Sequence, residues 1–201
     1  VATNGFYQEG LIPQMDGRVL PVISNIIVTR KLNEEEIKIH NFKTFSPIAN
    51  TKNLLYYYRK LPDNRILFGT RGDLTGSNQS NLDMSKKMEK FLKDIFPAWS
   101  NVTIDYNWRG LIALSQKLTP SIGKIEGEEI YYGFGYNGVG VSAAPWAGKQ
   151  LSKLVFSSNS KELDISKIYK GLPKKFIFPQ LRTFYFRLAV WFYAIKDKLN
   201  I

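Results

Sequence analysis

The chain has 201 residues, 44% hydrophobic and 14% aromatic, a composition typical of a folded globular protein rather than a disordered one. It contains no cysteine, which excludes disulfides, thiolate metal sites and a cysteine nucleophile. The formal net charge is +11, and the single histidine, His40, excludes a centre that needs several histidines. We expect His40 in a solvated loop or strand, and we predict no metal site.

The first half of the chain is predicted to form an antiparallel sheet. Residues 18–30 are rich in β-branched side chains and predict one or two strands, with Pro21 forcing a sheet edge or a break. Two β-type runs, 53–60 and 65–70, flank Leu61-Pro-Asp-Asn64 and predict a hairpin. Residues 102–114 predict a further strand.

A helix is predicted between these strands. Residues 80–96 place apolar side chains at helical spacing and lysines on the other faces. We expect Ser80 or Asn81 to cap the first turn, and Pro97 to end the helix.

The second half is predicted to contain a short hairpin, a glycine-rich loop and a helix that follows it. Residues 122–125 and 130–134 are strand-like, and the glycine-rich run 133–140 then opens a helix-like segment. Free N–H groups at such a helix start, with the positive end of the helix dipole, favour an anionic ligand such as a nucleotide or a flavin.

The same glycines fit a second, less favoured interpretation. Gly133, Gly135 and Gly138 spell G-x-G-x-x-G, the dinucleotide fingerprint. That fingerprint needs a parallel strand ending in an acidic residue about 20 positions later. Although Glu162 lies near that distance, polar residues precede it, so we do not favour a Rossmann domain here.

The end of the chain combines basic and aromatic residues. After a polar connection at 157–165, residues 179–199 predict a final helix, and the tail 161–201 holds nine Lys/Arg against three Asp/Glu. Such a segment could bind nucleic acid or an anionic membrane surface. We expect instead a solvated basic face on a helix whose aromatic residues pack elsewhere, with no nucleic-acid partner. In this chain alone, we expect part of the aromatic surface of the helix to be uncovered or buried in a neighbouring copy.

Neither a membrane span nor a signal peptide is predicted. No run approaches the ~20 apolar residues that a transmembrane helix needs. The first residues lack the charged and apolar regions of a signal peptide, so we predict a cytoplasmic location. Residues 1–5 have the pattern of a strand end entering a turn, so we expect the chain to begin within a fold.

Five segments, taken in order, together resemble one family. They are Ala2-Thr3-Asn4-Gly5, Arg18-Val-Leu-Pro-Val, Tyr57-Tyr58-Arg59 with Arg65-Ile-Leu-Phe-Gly69, Trp108-Arg-Gly110 leading to Pro120-Ser-Ile-Gly123, and Gly135-Tyr-Asn-Gly138-Val-Gly140. In this order and spacing, nearly the whole chain resembles the D-amino-acid-oxidase-like FAD-dependent oxidoreductases, in the branch of gamma-glutamylputrescine oxidase.

The resemblance implies an α+β fold. The fold would comprise a mainly antiparallel substrate-domain sheet with an inserted helix, plus a glycine-loop helix that completes an FAD-binding domain. It divides the chain into a remnant of the FAD-binding domain (1–10), the substrate domain (11–114), a return to the FAD-binding domain (115–160) and a basic aromatic tail helix (161–201).

The resemblance also implies the cofactor, FAD, and the residues on either side of it. The flavin would contact Gly135, Asn137, Gly138, Val139 and Gly140, with the N–H groups of Gly138, Val139 and Gly140 as donors. The substrate side would hold Tyr57, Tyr58, Trp108, Arg109 and Ile112. We assign no catalytic acid or base, because hydride transfer depends chiefly on orienting the C–H bond.

Two departures from the family pattern stand out, and the first bears on the substrate. Ile112 stands where the family's amino-acid oxidases have an arginine that holds the substrate carboxylate, which favours an amine; Arg109 or Arg59 are the alternative carboxylate partners. Lys117 replaces an acidic residue of the pattern. We therefore expect part of an enzyme that oxidises a C–N bond of an amine or amino acid by hydride transfer to FAD.

The partners follow from the same resemblance. They are a small-molecule amine and an N-terminal FAD-binding half, without which the 201-residue chain is expected to be inactive. A homo-oligomer is left open. The alternative from another class is a non-enzymatic basic binding module on a degenerate oxidoreductase fold, docking on nucleic acid or an anionic membrane.

Overall fold

A computed structural model describes residues 10–156 and 164–199. The strands are β1 (Leu20–Thr29), β2 (Ile48–Ala49), β3 (Tyr56–Lys60), β4 (Ile66–Arg71), β5 (Ile104–Leu114), β6 (Ser121–Lys124) and β7 (Tyr131–Phe134). The helices are α1 (Glu34–Ile39), α2 (Asn78–Ile95), α3 (Gly140–Phe156) and α4 (Arg182–Leu199). One sheet has the order β2-β3-β4-β1-β5, and β6 pairs with β7 in a second sheet. The predicted α+β class, with mainly antiparallel pairing, is confirmed.

The chain divides into two compact units, each drawn from two separate stretches. The first unit takes its described residues from Val1–Val22 and Leu111–Phe186, and the second from Ile23–Gly110 and Arg187–Ile201. These limits differ from the predicted domain boundaries, which follow residues 10, 114 and 160. The tail, residues 161–201, is divided between the two units. The assignment of the predicted domains to FAD and substrate stays a prediction.

The predicted hairpin forms the centre of the second unit. Tyr56–Lys60 pairs antiparallel with Ile66–Arg71, and the Leu61 N–H donates to the Arg65 carbonyl at 2.8 Å. Asn64 closes the turn with a positive φ of 65°, a conformation that asparagine tolerates well. The largest fully buried side chains here come from β1, β4, α2 and the loops beside them: Ile27, Leu32, Ile66, Phe68, Met88, Leu92 and Trp99.

Helix α2 begins earlier than predicted. Its cap is Ser77, whose Oγ accepts from the Ser80 N–H at 3.1 Å, so the predicted caps Ser80 and Asn81 are wrong. Both residues lie within the first turn, because the apolar stripe that marks the helix begins one turn after its cap. The predicted end is confirmed, since the last helical residue is Ile95 and Pro97 follows the C-cap residue Phe96.

The expectation for Pro21 is also wrong. Strand β1 is unbroken and lies between β4 and β5, not at an edge. Pro21 stands near the start of the strand, ahead of the residues from Ser24 to Val28 that pair with β4, so its missing N–H removes no hydrogen bond from that ladder.

Helix α1 was not predicted, and it changes the surroundings of His40. The Asn33 side chain accepts from the Glu36 N–H at 2.8 Å, while the Glu36 carboxylate accepts from the Asn33 N–H at 2.9 Å, which is a capping box. His40 ends this helix and contacts the rings of Phe96 and Trp99, with centroids 5.1 and 4.9 Å away. The expectation of a solvated histidine is therefore wrong.

In the first unit, helix α3 packs on the β6–β7 hairpin. The buried side chains of Ile122, Ala147 and Leu151 form this contact. Gly133 allows it, because a Cβ there would lie 3.2 Å from the Leu151 Cδ1. Most of the predicted polar connection, 157–165, lies outside the described residues.

The predicted final helix is confirmed as a short 3₁₀ turn at Pro179–Leu181 that leads into α4. Within the second unit, the Asp197 carboxylate accepts from the backbone N–H groups of Asn53 and Leu54 at 2.9 and 2.8 Å. Among the described residues, no helix has the length and apolar character needed to cross a membrane.

Candidate functional site

The glycine loop between β7 and α3 is built around an Asn-Gly turn. Asn137 and Gly138 have φ values of 51° and 94°, and the Val139 N–H donates to the Tyr136 carbonyl at 2.9 Å. Two consecutive residues with positive φ, closed by such a bond, are the features of a type I′ turn, for which Asn-Gly is a preferred sequence. Gly135 adds a third left-handed residue, with φ 69°. The loop conformation is thus encoded locally.

Asn137 ties this turn to the end of β5. Its side-chain Oδ1 accepts from the Ser115 N–H at 2.9 Å, its own N–H donates to the Ala113 carbonyl at 3.2 Å, and its Nδ2 donates to the Gly135 carbonyl. The sequence singled out Asn137 as a cofactor contact but gave no sign of Ala113 and Ser115 as its partners, because they lie more than twenty residues earlier in the chain.

Two backbone donors are left at the start of α3. The first helical bonds run from the Ser142 and Ala143 N–H groups to the Val139 carbonyl, at 3.2 and 3.0 Å. Within the described part of the chain, no group accepts from the N–H of Gly140 or Val141, as expected at a helix N-terminus. The Val139 N–H, which we had expected to be a donor to the flavin, is already bonded within the turn.

The surroundings of these donors combine a cavity with an accessible stretch of backbone. A cavity of about 230 Å³ lies beside the helix start and is lined by Val139, Ser142 and Trp146, among others. A Cβ added at Gly138 would meet no heavy atom within 4 Å, so the backbone there is open to close approach. The Ser115 hydroxyl is buried at the base of the loop and has no hydrogen-bond partner among the described residues. These features fit the edge of a flavin ring.

Lys117, which replaces an acidic residue of the family pattern, has a structural role. Its Nζ donates to the Lys170 carbonyl at 2.9 Å, and burial lowers the pKa of its ammonium group. The lysine therefore links the end of β5 to the segment before Leu172 within the first unit.

In the second unit, Tyr57 and Tyr58 lie on opposite faces of the sheet. The Tyr58 ring stacks on Phe68 in the core, with a centroid distance of 6.1 Å. The Tyr57 ring covers Gly69, where a Cβ would come within 2.2 Å of the Tyr57 Cζ, and its hydroxyl lies 3.2 Å from the Ser24 Oγ. Neighbouring strand residues alternate in this way, a signal already present in the sequence, so the two tyrosines do not line one site.

Arg109 is held by a buried carboxylate. Its Nη1 lies 3.2 Å from the Asp73 Oδ2 and donates a hydrogen bond to the Ser77 carbonyl at 2.9 Å. Burial alone would raise the pKa of Asp73, but hydrogen bonds from Gly76, Ser80, Arg109 and Thr75 outweigh it and keep that pKa below its ordinary value. Arg109 thus has a fixed counter-ion, a partnership that sequence analysis missed.

The remaining residues predicted for the substrate side are distributed over both units. Trp108 is 44% exposed on β5 in the second unit, whereas Ile112, on the same strand, belongs to the first. Arg59 is exposed on β3, two residues from Tyr57 and therefore on the same face of the strand.

This fold and loop correspond to a known class. The family model described as FAD dependent oxidoreductase matches residues 1–154, and the chain therefore belongs to that FAD-dependent family. The predicted family is confirmed.

Individual relatives agree with this assignment. The chain is 30% identical over 208 residues to the protein named "Probable oxidoreductase OrdL" of Haemophilus influenzae, covering 98% of this chain and 44% of that protein. It is 28% identical to the gamma-glutamylputrescine oxidoreductase of Escherichia coli, covering 100% of this chain and 46% of that protein. The chain thus spans a little under half the length of these relatives.

A solved structure supports the fold alone. The L-proline dehydrogenase of P. horikoshii superposes with a TM-score of 0.57 at 21% identity, over 76% of this chain and 39% of that one. Membership of an oxidoreductase family does not favour the alternative of a non-enzymatic basic binding module.

Proposed function

We propose that this chain is the substrate-domain and C-terminal part of a flavin-dependent oxidoreductase that oxidises a C–N bond of an amine. The observation that carries the proposal is the pair of N–H groups at Gly140 and Val141, beside a tethered Asn-Gly turn and an apolar cavity. The similarity of the chain to gamma-glutamylputrescine oxidoreductase supports an amine substrate.

The loop's contribution would be electrostatic. When bound, FAD would supply a hydride acceptor for a C–H bond next to nitrogen, with negative charge developing along one edge of its ring system. The N–H groups of Gly140 and Val141, at the positive end of the α3 dipole, would stabilise that charge, with Gly138 allowing close approach.

The choice of an amine over an α-amino acid rests on Arg109 and on Ile112, and Arg59 is the carboxylate partner that the assay below tests. Ile112 cannot hold a carboxylate, and Arg109 already has Asp73 as its counter-ion. Tyr57 is our candidate for the substrate side, because its face of β3 is not the core face. Trp108 is retained as a second aromatic contact, since amines bind well over such rings.

The test is a steady-state assay on this chain joined in one polypeptide to the FAD-binding half of its relatives. We expect higher kcat/KM with gamma-glutamylputrescine or a simple primary amine than with glycine or D-alanine. Replacing Arg59 by Met should leave the amine rate unchanged. A preference for glycine or D-alanine that is lost in Arg59→Met would contradict the proposal.

A further inference from the structure

The second unit contains a cavity unrelated to the loop described above. Helix α2, the β3–β4 hairpin and α4 surround a space of about 300 Å³. Its apolar wall includes Tyr56, Met84 and Phe91, with the Tyr56 and Phe91 rings 4.7 Å apart, and Val190 adds a contact from α4. A volume of this size is at the lower end of those that bind small molecules.

The cavity lies on the face of the sheet opposite to Tyr57. Tyr56 contacts Phe91 of α2, whereas Tyr57, the next residue, reaches Ser24 on the other side. A ligand in this cavity would therefore not occupy the Tyr57 face, where we place the amine.

One of the polar groups in the wall is fully engaged. The Asp73 Oδ1 accepts from the Thr75 and Gly76 N–H groups, and its Oδ2 lies 3.2 Å from the Arg109 Nη1. Its charge is thus compensated by Arg109 and its oxygens are occupied. Asp73 shapes the wall and is not our candidate for binding a ligand.

Arg71 also lines the wall and is not free, since it interacts with Asp197 and Tyr193. Two further charged side chains, of opposite sign, lie on the α2 side of the cavity. Asp83 and Lys87 are one helical turn apart, and both are exposed. Asp83 accepts a single described hydrogen bond, from Gln79 at 2.9 Å, and the Lys87 Nζ lies 5.5 Å from the Phe91 ring centroid. An adjacent anion and cation above an aromatic wall match a molecule that carries both charges and an apolar group.

We propose that this cavity binds a zwitterionic α-amino acid with an apolar side chain. Its ammonium group pairs with Asp83, its carboxylate pairs with Lys87, and its side chain lies against Tyr56, Met84 and Phe91. This site needs no FAD and does not depend on the proposed amine oxidation.

Three ligands that share a benzyl group and differ in charge test the charge pattern. Phenylalanine, phenylacetate and phenethylamine are each titrated into the 201-residue chain, and binding is followed by NMR chemical shifts. Phenylalanine should bind about fivefold more tightly than either singly charged ligand, because it would form one additional exposed ion pair with the cavity. The proposal would be overturned if phenylalanine showed no saturable binding, or if all three ligands bound equally. This comparison uses only the wild-type chain.

Charge-removing variants then separate the two contacts. Lys87→Met should weaken phenylalanine and phenylacetate about fivefold and spare phenethylamine, while Asp83→Asn should weaken phenylalanine and phenethylamine and spare phenylacetate. Lys90→Met and Asp94→Asn remove the same charges from α2 positions that do not line the cavity, and they should change nothing. Equal effects of Lys87→Met and Lys90→Met would sink the assignment.

Discussion

Asn137 shows how one side chain determines the geometry of a whole loop. It adopts a left-handed conformation that most residues avoid, and its amide contacts Ser115 and Gly135 at the same time. The donors at the start of α3 follow this turn directly, so their position depends on it.

Replacing Asn137 separates these two contributions. Asn137→Ala loses the side-chain hydrogen bonds and forces alanine into a positive φ, so we expect a loss of about 2 kcal/mol in the free energy of unfolding. Asn137→Gly loses the same bonds but tolerates the φ, and it should cost about 1 kcal/mol. Urea unfolding followed by the NMR signals of α3 measures both. Equal destabilisation by the two variants would show that the backbone conformation is not a factor.

At the scale of elements, local signals predicted well and long-range pairing did not. The β3–β4 hairpin and the end of α2 follow from Pro-Asp-Asn and from Pro97, which act on their immediate neighbours. The interior position of β1 and the Asn137 tether depend on residues far away in the chain, which no local pattern reports. Helix α1 could have been predicted from its capping box, N-x-x-E.

Helix α1 also provides a pH-dependent contribution to stability. The hydrogen bonds from Arg30, followed by that from the Asn33 N–H, lower the pKa of Glu36 from 4.5 to about 2. Because this pKa is lowered in the folded state, the stabilisation is present above the unfolded value and is lost as the pH falls from about 4.5 to about 2.

Glu36→Gln should remove that dependence. The amide still accepts in the capping box, and the Arg30–Glu36 pair is partly exposed. We therefore expect the free energy of unfolding to fall by only about 1 kcal/mol at pH 7. Near pH 2 the difference between Glu36→Gln and wild type should be smaller. Urea unfolding at a series of pH values measures it. Glu35→Gln removes an exposed charge from the same turn and serves as the control. A constant difference between Glu36→Gln and wild type across this range would refute the prediction.

At the scale of the whole molecule, α4 carries a large exposed apolar surface. Its exposed apolar side chains include Phe184 at 61%, Trp191 at 66% and Leu199 at 60% exposure. The sequence predicted that part of the aromatic surface of this helix would be uncovered, and that prediction is confirmed. Surfaces of this kind favour association.

We predict that the 201-residue chain self-associates through this surface and that Trp191→Ser weakens the association. Burying one aromatic side chain contributes about 1.5–3 kcal/mol, so the apparent dissociation constant should rise at least tenfold. Sedimentation velocity at several concentrations measures it. Leu82→Ser, which removes an exposed apolar side chain from α2, should have little effect; a wild-type chain that stays monomeric throughout would disprove this use of α4.

We also predict that the 201-residue chain binds FAD weakly. In the described residues β7 pairs antiparallel with β6, and this pairing differs from the parallel βαβ unit that carries a Rossmann pyrophosphate site. FAD and FMN, which differ by the AMP portion, should therefore bind with similar low affinity in a flavin fluorescence titration. Stoichiometric binding of FAD at low micromolar concentration, with FMN much weaker, would revive the dinucleotide interpretation of the loop.

The interleaving of the two units restricts how this protein can be recombined. The segments of the two units alternate along the chain, with changes of unit after residues 22, 110 and 186. Exchanging one unit with a relative therefore needs three junctions, and a single crossover within residues 23–110 makes both units hybrids. Even a frameshift as late as residue 190 would remove Asp197 and its bonds to Asn53 and Leu54, and so damage a unit most of which had been translated correctly.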